Sequence, residues 1–380
     1  MALTASYIAA CMIAKPLGTR TASTPAVYAC VRIAVVGGVD SKYTIRRSHQ
    51  LAMDDRMTLS RRTVVAAALA SLPARAFAQA TKVYRVGLVT IGAPDTTVLS
   101  PAMAKEFAKL GYTEGKNIEF ERRAAQGKPD RLPGFVDDLV AKHVDVIVTA
   151  SYPAAAAAKE RAGTTPVVVT FSGDPVATGL AASLAHPGGS ITGVSEIAAE
   201  LSAKRLAILK EAVPSVHAVA VLWNADDFGM TLRYQAAEFE AKRVGMLIVP
   251  LGVHAPDDFD TAFSEMTKKP PDAILMVTDV LTTLNRKRVI DFAADHHLPA
   301  IYEYANLVHD GGLLSYGPDQ RSIFERAAAL TDRILKGAKP ADLPLELPSR
   351  FELAINLKTA KVLGLTIPEA IVVRADDVIE

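Results

Sequence analysis

From residue 82 onward the chain alternates short apolar runs with longer segments whose apolar residues recur every three or four positions. Residues 83–89 (VYRVGLV) are short, rich in β-branched side chains and followed by the breakers Gly92 and Pro94, which predicts a buried strand. Residues 100–110 set Met103, Phe107 and Leu110 at helical spacing and end at Gly111, a natural helix stop. A strand at 117–122 comes next, then a helix at 132–142 with Phe135, Val136, Leu139 and Val140 on one face. Strands at 144–149 and 166–170 flank a helix at 154–161. The rhythm then restarts with strand 216–223, helix 230–244, strand 246–250, helix 259–267, strand 273–277, helix 284–296, strand 299–302 and a long helix at 323–336. A helix at 199–213 separates the two series. Such alternation with short connections implies parallel sheets covered by helices on both faces. The expected fold class is α/β, as two Rossmann-like lobes.

The preceding residues follow no such rhythm. Arg61 and Arg62 open a stretch that continues with an apolar run at 64–72 and ends in Ala76-Phe77-Ala78, the order of an export signal with a small-x-small cleavage site. The apolar run is about nine residues, well short of the ~20 that cross a bilayer. Residues 60–65 (SRRTVV) also resemble a twin-arginine motif, and Arg75 suits that route; general secretion remains the alternative. The expectation is a signal at 57–78, cleaved after Ala78, and a periplasmic mature chain without stable membrane insertion. Residues 1–56 precede the signal and are expected to be an extension upstream of a true start at Met57.

Charge sharpens this division. The full chain carries 42 basic and 41 acidic side chains, a net of +1. Residues 1–78 hold 10 of the basic and 3 of the acidic ones, leaving 32 and 38 in residues 79–380, a net of −6. A mildly acidic body lacks the basic face that nucleic acids or anionic membranes require. Both cysteines, Cys11 and Cys30, lie in the leader, so the body offers no disulfide framework, thiolate metal site or cysteine nucleophile.

Candidate chemistry is correspondingly sparse. The chain has no G-x-G-x-x-G, G-x-x-x-x-G-K-[ST] or G-x-S-x-G motif. His296 and His297 are adjacent and point different ways on a helix, whereas a metal pair needs i,i+4 spacing. No metal, cofactor or catalytic set is expected. What recurs is a polar or aromatic residue just past the carboxyl end of an apolar strand: Ser151 and Tyr152, Phe171, Ser172 and Asp174, Asn224 and Asp226, Thr278 and Asp279, Glu303 and Tyr304. In open parallel sheets that edge is where ligands bind. Free backbone N–H groups there suit an anion, Asp174 suits an ammonium, and Tyr152, Phe171, Trp223, Tyr302 and Tyr316 offer flat walls. The competing reading of each position is a strand-end cap or turn residue, and Asp174 before Pro175 is a good turn starter.

Longer strings carry a resemblance. Residues 110–120 (LGYTEGKNIEF), 130–133 (DRLP), 144–148 (VDVIV), 173–180 (GDPVATGL), 187–194 (PGGSITGV), 298–303 (LPAIYE), 311–319 (GGLLSYGPD), 334–344 (ILKGAKPADLP) and 351–361 (FELAINLKTAK) together resemble the ABC-transporter substrate-binding proteins whose better-known members take up tryptophan and related aromatic amino acids. The resemblance runs from about residue 82 to 380. It implies the type I periplasmic-binding-protein fold, with a cleft between two lobes and three crossovers. By position it places Ser151, Tyr152, Ser172, Asp174, Asn224, Thr278, Asp279, Tyr302 and Glu303 in the cleft and Tyr316 in a crossover. It assigns 79–198 plus about 314–342 to one lobe, and 199–313 plus about 343–380 to the other. Two cleft loops depart from the family: 150–155 reads ASYPAA where Gly-Thr-Pro-Ala-Ala is usual, and the Asn-Pro-rich loop is here Asn224-Ala-Asp-Asp-Phe-Gly.

The function this implies is a monomeric, non-enzymatic carrier that captures a small amphipathic ligand, an amino acid or small carboxylate, and delivers it to ABC permease subunits. The alternative is a ligand-sensing module of the same fold signalling to a membrane partner, and a secreted carboxylate enzyme is a distant third.

Overall fold

The computed structural model describes residues 82–92 and 99–380, which form one compact unit. The export residues Arg61, Arg62, Ala76 and Ala78, and the extension 1–56, lie outside the described residues.

The first lobe begins with β1 (Tyr84–Thr90), α1 (Leu99–Lys109), β2 (Ile118–Ala124), α2 (Leu132–Ala141), β3 (Val146–Ala150), α3 (Tyr152–Arg161), β4 (Val167–Thr170) and β5 (Ile191–Gly193). Helix α4 (Ala198–Ala212) leads to β6 (Ala218–Asn224), α5 (Phe228–Arg243), β7 (Leu247–Val253), α6 (Asp258–Lys268), β8 (Ala273–Met276), α7 (Val280–Leu284), α8 (Arg286–Asp295), β9 (Ala300–Tyr302), α9 (Ala305–His309) and β10 (Leu314–Pro318). The chain closes with α10 (Gln320–Leu335), β11 (Phe351–Asn356), α11 (Leu357–Val362), α12 (Glu369–Val372) and β12 (Asp377–Ile379).

These strands make two sheets. The five-stranded sheet runs β2-β1-β3-β4-β5 and is parallel throughout. The seven-stranded sheet runs β12-β11-β10-β9-β8-β6-β7 and is parallel except where β10 meets β11. Val146, Ile147 and Val148 are all fully buried, because helices cover both faces and leave no polar side to alternate with. The same logic fills β6 with Val219, Ala220, Val221 and Leu222.

Three passages join the lobes. The first follows β5. The second lies between Pro318, still paired in the second sheet, and Gln320 of α10, whose Ile323, Phe324, Ala327 and Leu330 pack with Val86, Leu88 and Met103 of the first lobe. The third lies between Glu346, which bridges Val194, and Arg350, whose carbonyl accepts from Asp319 N. The second and third passages thus fall later than the boundaries at about 314 and 343 suggested by the sequence. Strand β10 pairs with β9 and β11, and Leu343 and Leu345 are buried in first-lobe cores.

The alternating pattern locates every strand that it names, and several helix boundaries move. Helix α5 starts at Phe228 under an Asp227 cap, α10 starts at Gln320 under Asp319, and the expected helix 284–296 is α8, starting at Arg286 and preceded across Asn285 by the short α7. Among the described residues no helix is long and apolar enough to cross a membrane.

Gly193 ends β5 at the first passage, with φ +150. A Cβ there would sit 2.2 Å from the Val169 carbonyl oxygen and 2.6 Å from its nitrogen, inside the β4–β5 ladder. Gly193→Ala is therefore expected to destabilise by about 2 kcal/mol or more, since no flexible side chain can yield. Urea unfolding of the variant beside the parent measures it, and a loss below about 0.5 kcal/mol would contradict the close approach.

Candidate functional site

The site grows from the carboxyl ends of β3 and β4 in one lobe and β6, β8 and β9 in the other. Parallel strands point all these ends the same way, so their loops collect at one edge. Two of the loops carry backbone strain: Ser151 has φ 104 and Phe171 φ 50, values that side-chain-bearing residues seldom adopt. Ser151 also caps α3, its hydroxyl accepting from Ala154 N at 3.4 Å.

Buried charge dominates the junction. Glu303, only 2% exposed, lies between two arginines. Arg233 Nη1 donates to both its oxygens at 2.9 and 2.8 Å, and Arg205 Nη2 sits 2.9 Å from Oε1, near as an ion but too poorly aligned for a hydrogen bond. Arg205 Nε donates to the Tyr316 carbonyl at 2.7 Å. Arg233 Nη2 reaches Glu196 at 3.2 Å, in the passage after β5. Glu196 in turn accepts from Tyr304 Oη at 2.7 Å and from Gly173 N at 3.1 Å. First-lobe backbone, the passage residue Glu196 and second-lobe side chains thereby form one continuous network.

Burial and charge compete within it. At Arg233 burial works against the cation, but Glu303 and Glu196 outweigh it and hold the pKa above its ordinary value. At Arg205 burial prevails over Glu303 and the pKa falls. Burial, with Glu196 and Glu303 beside it, pushes the Tyr304 phenol far up, so that it donates as a neutral hydroxyl.

A second polar group lies at the start of α5. Asn224 Nδ2 donates to Asp279 Oδ2 at 2.6 Å, and the other Asp279 oxygen caps α7 through Thr282 N at 2.8 Å. Asp227, 4% exposed, caps α5 through Met230 N at 3.2 Å. Neither carboxylate makes an ion pair among the described residues. Burial, followed by repulsion from Asp279, pushes the Asp227 carboxyl up to about 6.

Aromatic contacts close the edges. Tyr152 faces Phe228 across the lobes with ring centres 6.0 Å apart, and Phe171 faces Tyr304 at 6.4 Å and Phe324 at 5.1 Å. Burial raises the Tyr152 phenol, with Asp227 adding to it.

The structure thus draws several of the sequence-predicted residues together. Glu303, the Thr278 carbonyl and Gly173, next to Ser172, lie against Arg233; Asn224 and Asp279 pair, with Asp279 near Asp227; Tyr152, next to Ser151, faces the start of α5. Others are placed differently. Asp174 Oδ1 accepts from Val176 N at 2.9 Å and Ala177 N at 3.1 Å, which makes it a turn cap. Tyr302 is fully buried among Phe259, Val289 and Leu307 in the second-lobe core, because its strand position turns it away from the junction. The Tyr316 ring stacks on Phe351, and only its carbonyl joins the network. Trp223 likewise stacks on Tyr234 at 3.9 Å.

Sequence reasoning missed Glu196, Arg205, Asp227 and Arg233, while Tyr304 stands among its strand-end residues. Two of them left a trace: Arg233 shares a helical face with Met230, Ala237 and Ala241, and Arg205 one with Leu201, Ser202, Leu206 and Leu209. A charge on a core-facing stripe needs a buried partner.

Two α/β lobes joined by three passages, with polar groups of both meeting beyond the strand ends, define a hinged binding protein of the type I periplasmic fold. The chain belongs to the ABC transporter substrate binding protein family, whose model matches residues 88–379. It is 27% identical over 262 residues to a tyrosine-binding protein of Clostridioides difficile, covering 69% of this chain and 75% of that protein. A crystal structure of a conserved domain protein from Vibrio cholerae superposes with a TM-score of 0.74 at 27% identity, over 78% of this chain and 100% of that one. A domain from Streptococcus pneumonia in complex with L-Trp gives 0.73 at 24%, with the same coverage. The family is one of solute-binding proteins and not of enzymes.

Two outcomes follow from the buried charges. Arg233→Met strands Glu303 and Glu196 and is expected to cost about 3–5 kcal/mol in denaturant unfolding; a cost under 1 kcal/mol would show the network to be incidental. Asp227 has a folded pKa of about 6, above its ordinary 3.8, so its contribution to stability is complete below 3.8 and lost as pH rises through 6. Asp227→Asn keeps a capping side chain, and is expected to make the ligand-free protein about 2–3 kcal/mol more stable than the parent at pH 7.5, relative to their difference at pH 4. Parallel melts at the two pH values test this.

Proposed function

We infer that this chain is the exported solute-binding component of an ABC importer. It captures a small amphipathic ligand, an amino acid or small carboxylate, between its lobes and delivers it to the permease subunits. The observation that carries this reading is the inter-lobe junction, where Gly173 of one lobe and Arg233 and Tyr304 of the other converge on Glu196 of a passage, with Glu303 on the far side of Arg233. A hinge opening that separates the lobes exposes these groups, and closure desolvates whatever lies among them. Ser151, Tyr152, Ser172, Asn224, Thr278 and Asp279 line the cleft in this reading, with Glu303 behind them holding Arg233. Among known relatives, the protein of Clostridioides difficile named for tyrosine supports an amino-acid ligand. Removal of residues 57–78 as an export signal, a periplasmic location and a monomeric mature chain complete the proposal.

The test is a thermal-shift and calorimetric screen of the mature chain, residues 79–380, against L-amino acids and small carboxylates. A true ligand at 100 times its Kd is expected to stabilise by about 2.7 kcal/mol and to shrink the radius of gyration in X-ray scattering. No shift with any member of either class would overturn the reading. Intact-mass analysis of protein from the periplasm is expected to find Gln79 at the N-terminus.

A further inference from the structure

We propose that Asp227 is a specificity-determining residue that receives the ammonium group of the ligand, so that this receptor selects amine-bearing carboxylates over plain ones. The inference rests on the solute-binding reading and deepens it. Asp227 is a buried carboxylate that meets only backbone donors at the start of α5, and no cation lies within ion-pair distance among the described residues. The neighbouring carboxylate, Asp279, is likewise without an ion pair and held in place by Asn224 and Thr282. Two such acids near each other in a poorly hydrated place repel, and a positive group between the lobes relieves both.

A separate observation points to the other end of the ligand. Arg233 Nε and Ser172 Oγ are buried and have no hydrogen-bond partner. A Cβ on Gly173 would lie 3.7 Å from Arg233 Nε, so this donor faces the Ser172–Gly173 loop of the opposite lobe. Thr278 Oγ1, beside Asp279, is also buried without a partner. Donors lacking acceptors therefore stand near acids lacking cations, and Arg233 is close enough to Asp227 to affect its titration. A solute carrying both an ammonium and a carboxylate satisfies the two sets together; a plain carboxylate leaves the acids unrelieved, and a neutral sugar offers no charge to either.

The test uses L-tyrosine, its des-amino analogue 3-(4-hydroxyphenyl)propionate and, as a broader probe, the L-amino acid giving the largest thermal shift with its own des-amino analogue. In titration calorimetry the des-amino compounds are expected to bind the parent about 30-fold or more weakly than the amino acids. Asp227→Asn, which keeps a cap, is expected to lose a similar factor for the amino acids while leaving the des-amino compounds unchanged or tighter. Asp227 is faced by Asp279, Arg233 and Tyr152, so affinity of the parent should fall about tenfold per pH unit below 6, and the variant should lack this dependence. Equal binding of amino acid and des-amino analogue, or full affinity in the folded variant, overturns the proposal while leaving the solute-binding reading intact. Failure of every amino acid and carboxylate to bind the parent overturns that reading and this proposal with it.

Discussion

Everything at the junction depends on one buried ion, the Arg233 guanidinium. Its two terminal nitrogens reach Glu303 and Glu196, which belong to a second-lobe strand end and to the passage after β5. Glu303 also faces Arg205, and Glu196 also takes Tyr304 and Gly173. Taking such ions out of water costs several kcal/mol each, recovered only where geometry and hydrogen bonds are good. The network is therefore a poor source of raw stability but a strict specification of position. A shift of either lobe relative to the passage breaks charged contacts that nothing apolar replaces.

That strictness explains why the surrounding backbone tolerates strain. Ser151 and Phe171 adopt left-handed angles at the ends of β3 and β4, and Ile197 does so at φ 45 beside Glu196. Each such residue costs on the order of 1–3 kcal/mol and persists only where packing over-determines it. Ser151 is held by its cap on α3 and by a bond from its N–H to Thr170 O, and Phe171 by its contacts with Tyr304 and Phe324. Strain at the strand ends and charge at the passage are two halves of the same arrangement: both place loops rather than fill a core.

Much of the architecture was legible in the chain because fully buried parallel strands read as apolar runs, and VYRVGLV, VDVIVTA and PVVVT carry that signature. The strands that escaped were β5, β10, β11 and β12, which are short, Gly- or Pro-bearing, or polar at one end. The strand-end rule points to an edge of each sheet but does not say which side chains face it. It selected Asp174, one oxygen of which caps a turn, and Tyr302, whose place in a period-two strand sends it into the core. It passed over Glu196, Arg205 and Arg233, because two are in helices and one in a passage, and only three-dimensional packing joins residues so far apart in sequence.

Within the junction, the arginines and glutamates balance, two cations against two anions, so the network adds no net charge to the cleft. The asymmetry comes from Asp227 and Asp279, which stand outside it. A folded protein seldom retains a buried acid beside a second acid, with no cation paired to either, unless the arrangement serves something other than stability. Helix α5 carries the contradiction on one element: an acid at its first turn is destabilised by burial, while an arginine further along is stabilised by its partners. Removing the Asp227 charge relieves the ligand-free fold, yet the acid gives the cleft its negative end. Asp227 is thus an ion of this site that burial disfavours and that no cation among the described residues offsets at ion-pair distance.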